Sequence, residues 1–166
     1  SDLTDVYEEI IKKIPVKYHN KLSLANTRAR LRMSTLYMVS GGIHGIVVGT
    51  GNKVEDFGVG FFTKYGDGGV DISPIADLMK SEVYELAEKL NINKEIIEAP
   101  PTDGLWDDGR TDEDQLGVSY DDLEWAMNCN SENLDEKSAN ILRVYNKHRE
   151  QNLHKMQKIP VFKKDA

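Results

Sequence analysis

Gly45-Ile46-Val47-Val48-Gly49-Thr50-Gly51-Asn52-Lys53-Val54-Glu55-Asp56 is the stretch on which the reading of this chain turns. Its first five residues place three β-branched apolar side chains between glycines, and such a run reads as a strand buried on both faces, in a parallel sheet covered by helices. The strand then ends in Gly-Thr-Gly. Backbone N–H groups and a hydroxyl are thereby presented at a carboxyl edge, where ligands bind in open α/β sheets. Glycines let the backbone approach a phosphate, and an acidic residue just beyond is placed to hold Mg²⁺ on it. Alone the signal is weak, because a Gly-Thr-Gly turn is usually an ordinary loop. It also fails the Walker pattern, since Lys53 is followed by Val54 rather than Ser or Thr.

Upstream of this strand, Val6, Ile10, Ile11 and Ile14 mark a short amphipathic helix over 5–18, stopped by Pro15. A second helix is expected over about 23–39, capped by Ser23, with Leu24, Leu31, Leu36 and Met38 making apolar contacts. Ser40-Gly41-Gly42 precedes the strand instead of leading from strand to helix, and is rejected as a phosphate loop. Downstream, 49–69 is Gly-rich and too long for a tight turn. A helix over 75–90 follows, with Pro74 suited to its first turn and Met79, Val83, Leu86, Ala87 and Leu90 facing the core. Residues 99–118 read as loop, Ser119-Tyr120-Asp121-Asp122 opens a helix to about Met127, and a longer helix spans about 132–150. Residues 151–166, with Pro160, read as a C-terminal tail. The pattern is α/β, with fewer strands than a complete doubly wound domain.

A chain of 166 residues, 39% hydrophobic and 30% charged, is long enough for a single domain with a core. No apolar run approaches a membrane span. The N-terminus lacks the features of a secretory signal, and the single Cys129 forms no internal disulfide, so a reducing cytoplasm is expected. The net charge of −7 argues against wrapping a nucleic-acid backbone. Both ends are nevertheless basic, +3 over 1–48 and +5 over 138–166, so small polyanions remain possible ligands.

Several side chains suit such ligands. In Phe61-Phe62-Thr63-Lys64-Tyr65-Gly66-Asp67-Gly68-Gly69-Val70-Asp71, three glycines within four residues permit positive φ angles, and a lysine and two aspartates surround them. A plain glycine turn fits equally well. Lys80 lies near a helix start, an unfavourable place for a cation unless an anion is close. Arg28 and Arg32 share a helix face while Arg30 points elsewhere, where a guanidinium can clamp a carboxylate or phosphate. His154-Lys155 reads as a solvated pair, and the four histidines and one cysteine offer no zinc spacing.

Taken in order, NTRARLRM (26–33), VVGTGNKVEDFGVGFFTKYGDGGVDISPIADLMKSEVYELA (47–87), EAPPTDGLW (98–106), TDEDQLGVSYDDLE (111–124) and HKMQKIPVF (154–162) resemble the ammonia-dependent NAD synthetases. The resemblance implies a Rossmann-like three-layer parallel sheet with helices on both faces, of the adenine nucleotide alpha-hydrolase-like kind, incomplete in this chain. It implies ATP-dependent amidation of deamido-NAD by ammonia, giving NAD, AMP and pyrophosphate through an NAD-adenylate intermediate. By motif position Thr50, Lys80 and Thr102 match ATP contacts. Arg30, Lys64, Asp71, His154 and Lys155 match deamido-NAD contacts. Glu55 matches a Mg²⁺ carboxylate, with Asp56 as the alternative because the segment from Glu55 to Lys64 is one residue longer than in some relatives. A cytoplasmic homodimer with the dinucleotide near the subunit interface is implied as well.

One departure stands out. The family's opening strand and its Ser-Gly-Gly-x-Asp-Ser loop for the ATP pyrophosphate are missing from residues 1–166. The expectation is therefore one synthetase domain lacking that part, inactive as a 166-residue chain and belonging to a longer polypeptide. The competing expectations are a non-catalytic dinucleotide-binding or dimerisation module and a different ATP pyrophosphatase such as a GMP synthetase or an asparagine-forming ligase. With no glutaminase region in these residues, free ammonia is the expected nitrogen source.

Overall fold

The computed structural model describes residues 1–106, 108–131 and 133–164. Seven α-helices are present among them. Helix α1 (Thr4–Lys13) ends ahead of Pro15, and a single 3₁₀ turn, Val16–Tyr18, leads to α2 (Lys21–Gly42). The cap of α2 is Asn20 and not Ser23. The Asn20 side chain accepts from the Ser23 N–H at 2.8 Å, and Ser23 Oγ accepts from the Asn20 N–H at 3.2 Å, so Ser23 is the third residue of a capping box. The helix absorbs Gly41 and Gly42 and breaks at Ile43.

The parallel sheet exists here as one bridge, Val48 to Ile72. Gly49 N–H donates to Ile72 O, and Asp71 N–H donates to Val47 O. Val47 is buried, whereas Ile46 and Val48 are each more than half exposed. The apolar pattern is therefore met on one face only, and among the described residues the segment has one neighbour where a sheet interior needs two. Apolar side chains on α2 share this fate: Leu36 and Met38, expected to pack, are exposed at 55% and 73%.

After the bridge segment the chain winds into a π-helical turn, Lys53–Val59, whose N-terminus is capped by Asn52 Oδ1 accepting from the Val54 and Glu55 N–H groups. A π turn inside functional segments is a recurrent device. Gly60 closes it with φ +65°, and a Cβ there would sit 2.6 Å from Asn152 Cβ, so only glycine fits against that residue.

Residues 74–78 form turns, and α3 (Lys80–Lys89) begins later than the sequence suggests. The Glu82 carboxylate accepts the Met79 N–H at 2.7 Å and fixes the helix start at Lys80, six residues beyond Pro74. Leu86 and Leu90 are exposed instead of facing the core. A one-turn α4 (Lys94–Ile97) follows, and then α5 (Asp112–Leu116) and α6 (Tyr120–Asn128). Ser119 caps α6 as its pattern indicates, its Oγ accepting from the Asp122 N–H. Glu132, where the sequence placed the start of the last helix, lies outside the described residues. Helix α7 (Glu136–Met156) extends past residue 150, so His154 and Lys155 stand in its last turn and not in a tail.

Val54, Val59, Leu116, Tyr120, Leu123, Ala126, Ile141 and Tyr145 form the core, which joins the π turn to α5, α6 and α7. Two candidate functional segments are thus the two ends of a packed unit: the acidic pair Glu55-Asp56 lies in the π turn, and His154-Lys155 lies at the end of the helix packed against it.

Candidate functional site

Two charge clusters flank the π turn. In the first, Lys80 Nζ donates to Glu55 Oε1 at 2.8 Å, with both side chains only 16% exposed. Lys80 is the first residue of α3, where the helix end repels a cation, and Glu55 supplies the compensating anion. Tyr120 OH donates to the same Glu55 oxygen at 2.6 Å, and the Lys80 ammonium lies 4.6 Å from the centroid of the Tyr120 ring. Asp112 Oδ2 is 3.3 Å from that hydroxyl, while Asp112 Oδ1 is buried without a hydrogen-bond partner. Burial and then the Glu55 charge push the Asp112 carboxyl above its ordinary value. Burial and the hydrogen bond to Glu55 likewise hold the Tyr120 phenol well above its own.

The second cluster is built on main-chain oxygens. Lys155 Nζ donates to Gly60 O and Phe62 O at 2.9 and 2.7 Å, and Lys64 Nζ donates to His154 O at 2.6 Å. Arg30 donates from Nε and from one terminal nitrogen to Lys64 O. Arg28 and Arg32 reach Leu105 O and Gly104 O instead, which is the division of faces read from the sequence. Burial lowers the Lys155 ammonium, although Asp67 and Asp56 oppose that shift.

Asp56 separates the two clusters. Its carboxyl is pushed up to about 7, first by burial, then by the charges of Glu55 and Asp67, with Lys155 pulling the other way. It folds back over Gly51, where an added Cβ would lie 1.9 Å from Asp56 Oδ2. Glu55, and not Asp56, is therefore the carboxylate that meets Lys80.

The remaining candidates are placed differently. Asp71 joins neither cluster through a hydrogen bond: its Oδ2 accepts from Val47 N–H at 2.7 Å and its Oδ1 from Tyr37 OH at 3.1 Å, tying the Gly-rich loop to the bridge segment. Thr50 is exposed at the end of that segment. Thr102 Oγ1 donates to Arg110 O and accepts from Gly104 N–H, both at 3.3 Å, and so ties Gly104 and Arg110 together. Within residues 61–71 the positive φ falls on Tyr65, not on Gly66, Gly68 or Gly69. Gly66 and Gly68 are needed for closeness: a Cβ would meet Thr63 at 2.8 Å and the Phe62 ring at 2.3 Å.

Tyr120 and Asp112 were missed as functional residues. The one signal in the sequence was a tyrosine directly after a capping serine, and capping alone accounted for it. Asn152 was missed for the same reason, since nothing marks a helix asparagine whose Nδ2 donates to Val59 O across 93 residues. Two surface grooves, beside Leu142 and Arg143 on α7 and beside Val6 and Ile10 on α1, touch neither cluster. The converging charges, not the grooves, define the site.

Mg²⁺ suits the first cluster in part. It is commonly held by one or two carboxylates together with waters and substrate phosphates. Glu55 and the buried Asp112 oxygen offer that much, while no group of three or more His, Cys, Asp or Glu residues is assembled for a metal among the described residues.

The chain is similar to several known proteins. A family model described as NAD synthase matches residues 1–166. The NH(3)-dependent NAD(+) synthetase of Alkaliphilus oremlandii (strain OhILAs) is 48% identical over 129 residues, covering 72% of this chain and 50% of the relative. An NMN synthetase structure from Francisella tularensis superposes with a TM-score of 0.83 at 33% identity, covering 96% of this chain and 63% of that one. An NH3-dependent NAD synthetase from Campylobacter jejuni subsp. jejuni NCTC 11168, in complex with the nitrate ion, gives 0.73 at 26% identity, covering 98% and 64%. These likenesses are consistent with the adenine nucleotide alpha-hydrolase-like fold. The chain spans about half the length of the curated relatives it matches.

Proposed function

Because the chain belongs to the NAD synthase family, we propose that it is the substrate-gripping part of an ammonia-dependent NAD synthetase, a ligase that amidates deamido-NAD at the expense of ATP. The observation that carries this reading is the Glu55–Lys80 pair, held just beyond the Gly-Thr-Gly turn at the end of the bridge segment. Activating a carboxylate with ATP demands little proton shuttling. It demands in-line placement and cations that offset charge building on the phosphates.

Lys80 is the cation for the ATP phosphates: a phosphate oxygen replaces Glu55 as its partner, which frees Glu55 for Mg²⁺. The metal, when bound, would neutralise phosphate charge. Thr50 and Thr102 contact ATP. Arg30, Lys64, His154, Lys155 and Asp71 contact the dinucleotide. The nicotinate carboxylate attacks the α-phosphate, pyrophosphate leaves, and ammonia displaces AMP from the resulting adenylate. A cytoplasmic homodimer belongs to the same reading. The apolar side chains left bare on α2, among them Leu36, Met38 and Val39, support a covering surface from another subunit or from more of the polypeptide.

The complete polypeptide, given deamido-NAD, ATP and ammonia, is expected to form NAD with stoichiometric AMP. The 166-residue chain alone is expected to form none. Binding of deamido-NAD by the complete polypeptide without turnover would replace this reading with a non-catalytic module. The Francisella likeness favours one second reading, amidation of the nicotinate mononucleotide. A kcat/KM for the mononucleotide above that for deamido-NAD would establish it.

A further inference from the structure

Tyr120 touches both members of the Glu55–Lys80 pair, and it touches them by different means. Its hydroxyl donates to Glu55 Oε1 at 2.6 Å, a charge-assisted bond, while its ring lies beneath the Lys80 ammonium at 4.6 Å. The residue is 6% exposed and belongs to the core that joins the π turn to α6 and α7. Its rotamer is therefore set by packing and not by the ions. As the first residue of α6, behind the Ser119 cap, its backbone is fixed as well.

Glu55 Oε1 receives two donors, Lys80 and Tyr120. The two are not equivalent. An ammonium on a flexible stem exchanges partners readily, whereas a buried phenol does not. When a phosphate claims Lys80, the hydroxyl is the donor that stays. Asp112 Oδ2 sits 3.3 Å from the same hydroxyl, too far to compete well for its single proton, and Asp112 Oδ1 is buried with no donor. The site thus holds a second carboxylate with one buried oxygen that no donor reaches among the described residues, as suits a position that a cation enters.

We propose that Tyr120 is a positioning residue, whose hydroxyl holds the Glu55 carboxylate for a divalent cation while its ring leaves Lys80 free to turn to a phosphate. The proposal rests on the functional reading above for the identity of the phosphate ligand, but its Mn²⁺ test does not.

The experiment titrates the complete polypeptide with Mn²⁺ alone, followed by electron paramagnetic resonance, and separately measures the Mg²⁺ dependence of NAD formation. Y120F keeps the ring and the packing and removes the donor. It should weaken Mn²⁺ about tenfold, the size expected for losing a hydrogen bond to a charged group. It should also raise the Mg²⁺ concentration needed for half-maximal rate by a similar factor, while kcat at saturating Mg²⁺ falls less than threefold. L123V, a core change that does not touch Glu55, should lower the melting temperature and leave Mn²⁺ affinity alone. Unchanged Mn²⁺ affinity in folded Y120F overturns the proposal, as does an equal loss in L123V. Should Y120F not fold, K80M decides. With Tyr120 holding Glu55 and a repelling cation removed, K80M should bind Mn²⁺ at least as tightly as the parent, and weaker binding overturns the proposal. Absence of NAD formation by the unsubstituted polypeptide would refute the functional reading and leave the Mn²⁺ result standing on its own.

Discussion

The two charge clusters beside the π turn use the same residue types for opposite ends. Around Glu55, the partner of the lysine is a side chain that the Tyr120 hydroxyl also holds, so Lys80 exchanges it for a ligand without disturbing the backbone. Around Lys155, the partners of the lysines and of Arg30 are carbonyl oxygens of residues 60, 62, 64 and 154, so the lysines hold the Gly-rich loop to the end of α7 and Arg30 holds it to α2. A cation paired with a side chain is poised for chemistry. One paired with backbone is part of the fold, and a ligand that claims it must offer the backbone something in return.

The sharpest way to break that contrast is to neutralise one lysine from each cluster. K80M in the complete polypeptide should cut NAD formation by about 10²–10³-fold, the range seen when a charge-stabilising donor is removed. Its unfolding midpoint in urea should move less than that of K155M, because Tyr120 remains to satisfy Glu55 even though the pair it breaks is only 16% exposed. K155M should behave the other way round. It deletes two charge-assisted bonds to carbonyls from a half-buried site, which should cost about 1–3 kcal/mol of stability in urea denaturation. Its kcat should fall less than that of K80M. If K155M kept full stability while losing activity as steeply as K80M, the two clusters would be one binding site and the contrast would be void.

What could be read beforehand follows the same division. Local chemistry was legible: the cap at Ser119, the stop at Pro15, the splitting of Arg30 from Arg28 and Arg32, and the need for an anion beside Lys80 all depend on spacing along one element. The partner of Lys80 was not, since Glu55 is 25 residues away and Tyr120 lies 65 beyond Glu55. The continuation of α7 through His154 and Lys155 was hidden because a basic, polar turn looks like a tail. What holds it is Asn152 and Lys155 bonding back to carbonyls of the π turn and the loop after it. The sheet was overestimated for a related reason. Three β-branched residues show that a strand can form, but pairing needs neighbours, and residues 46–49 meet one among the described residues, around Ile72.

The gentlest probe of the contrast is pH, because Asp56 feels both clusters. Its carboxyl is raised from 3.8 to about 7, by burial first, then by Glu55 and Asp67, and Lys155 opposes the rise. Below about pH 4 the folded and unfolded chains both hold this proton. Between 4 and 7 the unfolded chain has released it and the folded chain keeps it, so unfolding sheds a proton and stability falls as pH rises; above 7 the effect is complete. For a carboxyl with part of its surface still wet, the fall should be on the order of 1–3 kcal/mol, measured by urea denaturation in a chelator-containing buffer. D56N should flatten the slope in that window. K155M should displace its upper end to higher pH, because the cation that favours ionised Asp56 is gone, whereas Y120F should leave the window in place. A slope that persisted in D56N would assign the titration to another group and remove Asp56 as the link between the clusters.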